Sequence, residues 1–435
     1  MFQKIKKSII NNPLKTLIIG GLLLRLSLLF LDFSFDVNSY LAWAKEALKF
    51  GLPGFYERAS QERYGAIFPN YPPLAIFLFI LFFQLYQLVF SVAWKINLAL
   101  PLFPSKVVSF LATRIAMAGF LKIPAVFFDL ATVILIFKFV QKIKGKTFFS
   151  PLSAAALLLF NPGFFYNSSY LGQIEIIPIF FILLAFYLFF SDKNSFWPLP
   201  FLTLALLSKQ TAIIFLPLLV FCYLKKRNWS AFFPGFFLSL FLFYLFFLPF
   251  LPPKANFFFS PFKLYYQRIL LVSGLPFTSN GAYNFWFLLA GGQNRGANLP
   301  FFFFSYQLWA SFLVSFLLIL IFLKLVKKPL TLTSLLPSGA LLALTFFLFF
   351  TKMHDRHLQS ALPFLLLAGL KNKKFFNGFF YFSFIYIVNI YHNWPVPKIV
   401  FLESLVRFPL FVNFFIILSL VFYFSLLKNY LFSKS

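Results

Sequence analysis

Acid is scarce in this chain: 10 of 435 residues are Asp or Glu, against 38 Lys and Arg. Five of them, Asp32, Asp36, Glu46, Glu57 and Glu62, sit in the segment 32–70 that follows the first long apolar run. Asp36, in Ser34-Phe35-Asp36-Val37-Asn38, has the chemistry of a general base, able to take the proton of a hydroxyl as that oxygen attacks a sugar carbon. Its alternative role is to cap the amphipathic stretch 38–50 as a helix N-cap. The second candidate cluster is His354-Asp355-Arg356-His357. Arg matches phosphate oxygens with parallel N–H donors, and His donates to phosphate or carries protons. The bland alternative is a solvated loop. The two His residues with Asp355 are metal ligands by type, but their spacing is not a metal signature, so a divalent ion stays an open question and no metal ligand is assigned.

Seven further polar residues interrupt apolar sequence: Asp129, Gln173, Glu175, Lys209, Arg268, Asn280 and Asn284. Charge within or at the edge of a membrane span costs a few kcal/mol, so such groups face a polar cavity or a partner. Asp129 is either functional or one half of a structural ion pair with Lys122 or Arg25. Glu175, in Gly172-Gln173-Ile174-Glu175, is either close to an active site or a solvated residue beside a helix cap. Lys209, between two short apolar stretches, either snorkels to an interface or holds an anionic phosphate as a point charge. His392, in His392-Asn393-Trp394-Pro395, reads as interfacial with its aromatic neighbours.

The elements that must position these groups follow from composition. Hydrophobic residues make up 61% of the chain and charged residues 11%. Apolar runs near the ~20-residue spanning length recur from end to end, which predicts an all-α, polytopic membrane protein. A β-barrel would alternate with period two over segments of ~10 residues. The net charge of +28 sits in short Lys clusters at the ends of apolar runs, as in Lys4-Lys6-Lys7, Lys142-Lys144-Lys146 and Lys371-Lys373-Lys374. Such clusters mark cytoplasmic loops beside anionic lipid, and no single basic patch suits nucleic acid. The lone Cys222 excludes an intrachain disulfide.

With the first Lys cluster inside, the runs thread as about 14 crossings with both termini cytoplasmic and an uncleaved first span at 14–31. The chain is then one membrane domain, 1–435, with a first outer loop at 32–72 carrying short amphipathic helices and a second outer segment at 252–300. The next expected spans are 73–94, a poorly apolar one between 98 and 119, and 120–140. The stretch 196–224 is too long for one span and predicts two short helices meeting at Ser208-Lys209-Gln210. The polar residues named above then share one outer rim, which suits a substrate carrying a phosphate and several hydroxyls.

Several stretches together resemble the GT-C superfamily of integral-membrane glycosyltransferases. Asp36 followed by Asn70-Tyr71-Pro72-Pro73-Leu74 is similar to the Asp and D-Y-P-P-L pattern of glucosyltransferases acting on lipid-linked oligosaccharide. Asn161-Pro162 through Gln173 and Glu175 resembles their N-P…G-Q-x-D pattern, and Leu207-Ser208-Lys209 their Lys turn. Asn280-Gly281-Ala282-Tyr283-Asn284-Phe285-Trp286 resembles an A-N-F-W region, and Met353-His354-Asp355-Arg356-His357 the H-E-[KR] motif. Glu175, Asn70 and Asp355 stand where the family carries Asp, Asp and Glu.

The resemblance implies an inverting enzyme that moves one hexose, mannose or glucose, from a polyprenyl-phosphate donor. The acceptor would be a lipid-linked glycan, a glycolipid or a protein, on the non-cytoplasmic face of a plasma (inner) membrane. Asp36 would be the base, and Lys209, Arg268, His354 and Arg356 would hold the donor phosphate. Tyr71, Asp129, Gln173, Glu175, Asn280, Asn284, Asp355 and His357 would line the substrate site. The rival from another class is a lipid-linked-sugar flippase or transporter, which needs polar groups along a path through the membrane.

Overall fold

A computed structural model describes residues 12–58, 68–191, 195–272 and 275–432. The Lys4-Lys6-Lys7 cluster, Glu62 and the Asp192-Lys193 turn lie outside the described residues. Among the described residues the chain forms nineteen α-helices: α1 (Pro13–Leu28), α2 (Phe35–Phe50), α3 (Pro73–Ala99), α4 (Ser105–Leu111), α5 (Arg114–Lys142), α6 (Pro151–Leu159), α7 (Pro162–Phe165), α8 (Ile176–Ser191), α9 (Pro198–Ser208), α10 (Leu216–Lys226), α11 (Trp229–Phe247), α12 (Ser260–Leu264), α13 (Phe285–Leu289), α14 (Tyr306–Lys327), α15 (Leu332–Phe349), α16 (Leu362–Gly369), α17 (Lys373–Asn393), α18 (Val400–Arg407) and α19 (Pro409–Phe432). Two two-stranded pieces complete it: β1 (Ser279–Asn280) beside β4 (Met353–His354) in parallel, and β2 (Pro300–Phe301) antiparallel to β3 (Phe304–Ser305).

Local chemistry sets where the helices begin. Proline occupies the first turn of α1, α3, α6, α7, α9, α10, α12 and α16. Its missing N–H costs nothing there, because those amides have no partner within the helix. Side-chain oxygens of Ser305, Thr331 and Asn372 accept from the first-turn amides of α14, α15 and α17. These caps stop each apolar run from continuing into the one before it.

Among the described residues six helices are long and apolar enough to cross a membrane: Pro73–Ala99, Arg114–Lys142, Trp229–Phe250, Tyr306–Lys327, Leu332–Phe349 and Pro409–Phe432. This fits a membrane-embedded protein. The apolar window of α15 is 83% buried while that of Trp229–Phe250 is 17% buried, so α15 is a central post and α11 a peripheral helix with Phe233, Phe236, Phe237 and Phe241 facing outward. A helix apolar all round suits either surrounding, because lipid and protein core are alike to it.

Six helices of spanning length among the described residues stand against the about 14 crossings expected from sequence, and one expected span is missing outright. No span forms between 98 and 119: α4 has seven residues, and α5 runs unbroken for 29, through Pro124. Contacts explain the course of the chain. Tyr71, just before α3, stacks edge-on with Tyr40 of α2, and Arg114 at the start of α5 donates to Asn38 of α2 at 2.6 Å. Midway along α3, Tyr86 donates to Leu111 at the end of α4. The α3–α4 excursion therefore leaves and returns beside α2, and it adds no net passage through the bundle. Apolar length alone could not reveal this, since α3 is ~40 Å of apolar helix at 1.5 Å per residue. The stretch 196–224 is broken at Lys209 as expected, with α9, a 3₁₀ turn at Gln210–Phe215 and α10.

Inside the bundle, Arg25 of α1 donates from Nε to Asp129 of α5 at 2.9 Å, and neither side chain is exposed. The remaining guanidinium hydrogens reach Gly21 and Leu159 carbonyls, and Ser168 donates to the same carboxylate. Asp129 thus serves as one half of a buried ion pair joining α1, α5 and the end of α6. Removing one partner strands a buried charge, which costs about 3–5 kcal/mol. Asp129→Ala should therefore lower the melting temperature in detergent sharply, and Arg25→Met with Asp129→Leu should recover much of the loss. Equal melting of Asp129→Ala and the parent would show the pair to be energetically idle.

Candidate active site

The candidate site is assembled from five separated segments. Ser34 donates its backbone N–H to Leu171 at 2.8 Å, which joins the start of α2 to the turn before Gln173. Lys122 of α5 tightens the same junction. Its ammonium donates to the carbonyls of Leu29, Asp32, Ser169 and Tyr170, two from each segment. Gly172 adopts φ +79, and a Cβ there would stand 2.7 Å from Val37 and 3.0 Å from the Lys122 stem. Only glycine both takes that backbone conformation and admits the close approach.

Asp36 lies in the first turn of α2, two residues beyond the N-cap position held by Ser34. Its carboxylate is not a cap. Oδ2 accepts from Gln173 Nε2 and from Arg356 Nη2, each at 2.9 Å. Gln173 also donates to Ser34 Oγ at 2.9 Å and accepts from Tyr40 OH at 3.4 Å, and Tyr40 meets Tyr71 OH at 3.2 Å. Arg356 reaches further, to Glu175 Oε1 at 2.9 Å from Nε. Lys209 donates to that same Glu175 oxygen and stands 5.1 Å from the centre of the Tyr71 ring. Arg356 is thus clamped between two carboxylates, and Lys209 backs the inner one.

Exposure separates the two acids. Asp36 is 30% exposed and Glu175 4%, so solvent or a ligand meets Asp36 first. Asp36 fronts a cavity of about 450 Å³ whose wall also includes Gln173, Asn280, His354, Arg356 and Asn393, with Glu175 behind it. Asn280 and His354 arrive together through the β1–β4 pairing. Gly281 follows with φ +75, and Asn389 and Asn393 of α17 donate to its carbonyl at 2.6 and 3.0 Å. A Cβ on Gly281 would fall 2.0 Å from the Asn393 oxygen.

Electrostatics differ around the cavity. Burial alone would raise Asp36, but Arg356, the Gln173 amide and Lys209 outweigh it and hold the carboxyl below its ordinary value. Asp355 goes the other way. Burial pushes it up to about 6 against the pull of Arg356. Burial, together with the cations Arg356 and Lys209, keeps His354 and His357 well below the ordinary imidazole range. Both are neutral at pH 7 and offer one N–H each, rather than a charge. The His354 backbone N–H donates to His357 Nδ1 at 3.2 Å, which places the ring proton of His357 on Nε2.

The sequence-predicted residues therefore sort into three groups. Asp36, Gln173, Asn280, His354, Asp355 and Arg356 line the cavity. Tyr71, Glu175 and Lys209 stand behind its wall in the charge network, and His357 supports the His354 backbone. Three are elsewhere. Asp129 pairs with Arg25, Asn284 caps α13 by accepting from Phe287, and Arg268 lies 5.9 Å over the Phe68 ring. These three break apolar sequence for structural reasons that polarity alone does not reveal. Conversely, Ser34, Asn167, Asn294, His392, Asn393 and Trp394 line the cavity without having been singled out as site residues. His392, expected at a membrane interface, instead faces this cavity and bonds to the Val406 carbonyl through Nδ1 at 2.7 Å. The only signal for it was its polarity at the end of an apolar run. Among the described residues no group of three His, Cys, Asp or Glu is placed to hold one metal ion.

No protein-family model matches the chain, and no curated protein does either.

Two outcomes test this geometry. Lys122→Met removes a donor shared by four carbonyls, at a cost of about 1–3 kcal/mol for each carbonyl left unsatisfied. It should lower the melting temperature and loosen exchange protection at 29–34 and 169–172 together; protection unchanged in both would disprove the clamp. Asp355 should titrate near pH 6, read as a carboxylate infrared band missing from Asp355→Asn. The folded state holds this proton more tightly than an unfolded Asp, so the residue's contribution to stability falls as pH rises from 3.8 through about 6.

Proposed function

We propose that the chain is a membrane-embedded glycosyltransferase that moves one hexose, mannose or glucose, from a polyprenyl-phosphate donor to a hydroxyl of a glycan, lipid or protein acceptor, with inversion. The observation that carries this reading is the Arg356 guanidinium set between a solvent-reachable carboxylate, Asp36, and a buried one, Glu175, at the wall of a cavity of sugar-phosphate size. In an inverting displacement the acceptor oxygen bonds to the anomeric carbon as the carbon–oxygen bond to phosphate breaks. The bonding pair leaves with the phosphate, and the acceptor proton passes to a base. Asp36 is the base in this proposal. It is the exposed carboxylate, and it is held ionised before the reaction.

Arg356 then has two partners to choose between. The donor phosphate competes with Asp36 for the guanidinium, because Arg pairs equally well with either oxyanion. Movement of Arg356 toward phosphate stabilises the leaving group and frees Asp36 to accept the proton. Glu175 and Lys209 keep the guanidinium within reach throughout. His354, neutral and donating one N–H, and the Asn280 and Asn393 amides suit sugar hydroxyls. In this proposal the phosphate is held by Arg356 with help from His354, Lys209 acts through Glu175, and Arg268 takes no part. The cavity lies on the non-cytoplasmic side of the membrane in this reading, because the Lys-rich helix ends, including Lys142, Lys225 and Lys328, gather at the opposite end of the bundle.

The direct experiment supplies the purified chain in detergent with radiolabelled polyprenyl-phosphate mannose and glucose and a mixed acceptor extract. Asp36→Asn should lower transfer by about 10²–10⁴-fold, the range expected for loss of a general base, while leaving donor affinity close to that of the parent. Arg356→Met should instead weaken donor binding. Full transfer by Asp36→Asn would remove it as the base. Donor movement across liposomes without any transfer would favour the transporter.

A further inference from the structure

Three exposed apolar segments lie where spanning helices reach the cavity end of the bundle. α11 begins just after Lys225-Lys226-Arg227, while α14 and α19 run the other way and carry Lys327 and Lys428 close to their ends. The opposite ends of all three helices therefore share the side of the Asp36 cavity. Phe287 of the cavity wall packs with Val412 and Ile416 near the start of α19, and Trp286 meets the ring of Tyr306, the first residue of α14, edge-on. The three segments are the turn 257–259 after α11, the Phe302-Phe303 turn of the β2–β3 hairpin before α14, and α18 before α19. Phe259 is 75% exposed, Phe303 89% and Phe401 of α18 74%.

Two opposing demands fix the depth of these segments. Turn backbone needs water or headgroups for its N–H and C=O groups, and hydrocarbon supplies neither, so both turns lie outside the acyl core. Large apolar side chains exposed side by side mark a surface that takes an apolar partner. The boundary between headgroups and acyl chains meets both demands, with the backbone in the polar layer and the rings below it. The rings are not on loose loops. Tyr244, in the last turn of α11, donates to the Phe258 carbonyl at 2.7 Å and stacks on Phe257. At the base of the hairpin, Trp309 donates to the Phe301 carbonyl at 2.9 Å, and Phe301 stacks on Tyr306. In α18 the same division runs along one helix. Phe401, Leu402, Leu405 and Val406 share one face at helical spacing, and Glu403, Ser404 and Arg407 share the other, where Arg407 pairs with Glu403 at 2.6 Å. α18 ends at Arg407 and the spanning helix α19 starts at Pro409, so α18 lies at the level where α19 enters the membrane.

We propose that α18, the hairpin turn and the 257–259 turn form a collar seated on the lipid surface, with their Phe rings inserted at the headgroup–acyl boundary of the leaflet on the cavity side. The partner is the bilayer itself. The collar holds three spanning helices at one depth, and α18 passes that depth to the cavity wall. The Val406 carbonyl accepts from Tyr283 OH at 2.8 Å and meets His392 Nδ1 at 2.7 Å, and His392 faces the cavity. The proposal is independent of the sugar-transfer reading, because it uses no member of the Asp36–Arg356–Glu175 network.

Spin labelling of the full chain in phosphatidylcholine vesicles tests it. The native Cys222 is buried, so the nitroxide goes to single cysteines introduced as Phe258→Cys, Phe303→Cys and Phe401→Cys. Relaxation by oxygen, which partitions into acyl chains, and by a water-soluble nickel chelate reads the depth of each label against labelled lipids. All three should lie roughly 5–10 Å below the phosphates, the depth of an interfacial helix. Phe316→Cys, midway along α14 and lipid-facing, marks the acyl core. Phe259→Cys, Phe302→Cys and Val400→Cys stand in for any of the three that fails to fold. Free access of the nickel chelate to any of the three labels, or a depth equal to that of Phe316→Cys, overturns the collar. Dipolar broadening between labels on two chains, with access of oxygen lost, assigns the surface to a second copy of the chain and overturns it as well.

Discussion

Arg356 holds the polar end of this molecule together. A guanidinium brought into a largely apolar bundle needs anionic partners, because the cost of removing its water is returned only by close oxyanions. The chain has few acids, and two of them, Asp36 and Glu175, are spent on this one side chain. Everything around it follows from that demand. Gln173 donates to the same Asp36 oxygen as Arg356, Lys209 balances Glu175, and the Tyr40–Tyr71 pair extends the network through Gln173. The pairing makes the site stable when empty. In the proposed reaction an incoming phosphate oxyanion takes the place of Asp36 at the guanidinium.

The surrounding fold solves a placement problem. The five contributing segments are separated by as many as 320 residues, from Asp36 to Arg356, and each is a helix end or a turn. Backbone at such points has unpaired N–H and C=O groups, and a membrane-embedded bundle must satisfy them internally. The molecule does so with side chains that cross between segments. Lys122 takes four carbonyls at the α2 entry, and Asn389 and Asn393 take the Gly281 carbonyl. These side chains do no chemistry in the proposed reaction, yet the position of every reacting group passes through them. The rigid posts, α15 above all, then carry the geometry to the opposite, Lys-rich end.

Two buried ion pairs illustrate how alike structural and functional charges look before folding. Arg25–Asp129 and Lys209–Glu175 are both isolated charges in apolar sequence, and both become buried pairs. The first is fully buried, with carbonyls around Arg25 and Ser168 on one Asp129 oxygen, and neither residue lines the Asp36 cavity. The second shares its carboxylate with Arg356, whose other face opens to the cavity. The distinction is one of access, which residue type does not encode.

The chain's own order of residues determined its class and most of its helices. Apolar runs of spanning length, proline at helix starts and Lys at helix ends act locally, so they are legible without neighbours. The break at Lys209 and the grouping of Asp36 with Gln173, Glu175, His354 and Arg356 were legible for a related reason: charge is so expensive in such a chain that scattered polar residues must find one another. Tertiary structure alone decided the rest. It turned α3 and α4 into an excursion that returns to α2, because Arg114 and Tyr86 have partners that no apolar-length rule contains. It sent Asp129, Asn284 and Arg268 to other duties and brought His392, Asn393 and Asn294 into the cavity wall. Those assignments depend on which helix ends meet across the bundle, and that meeting is set by packing between distant segments rather than by any local pattern.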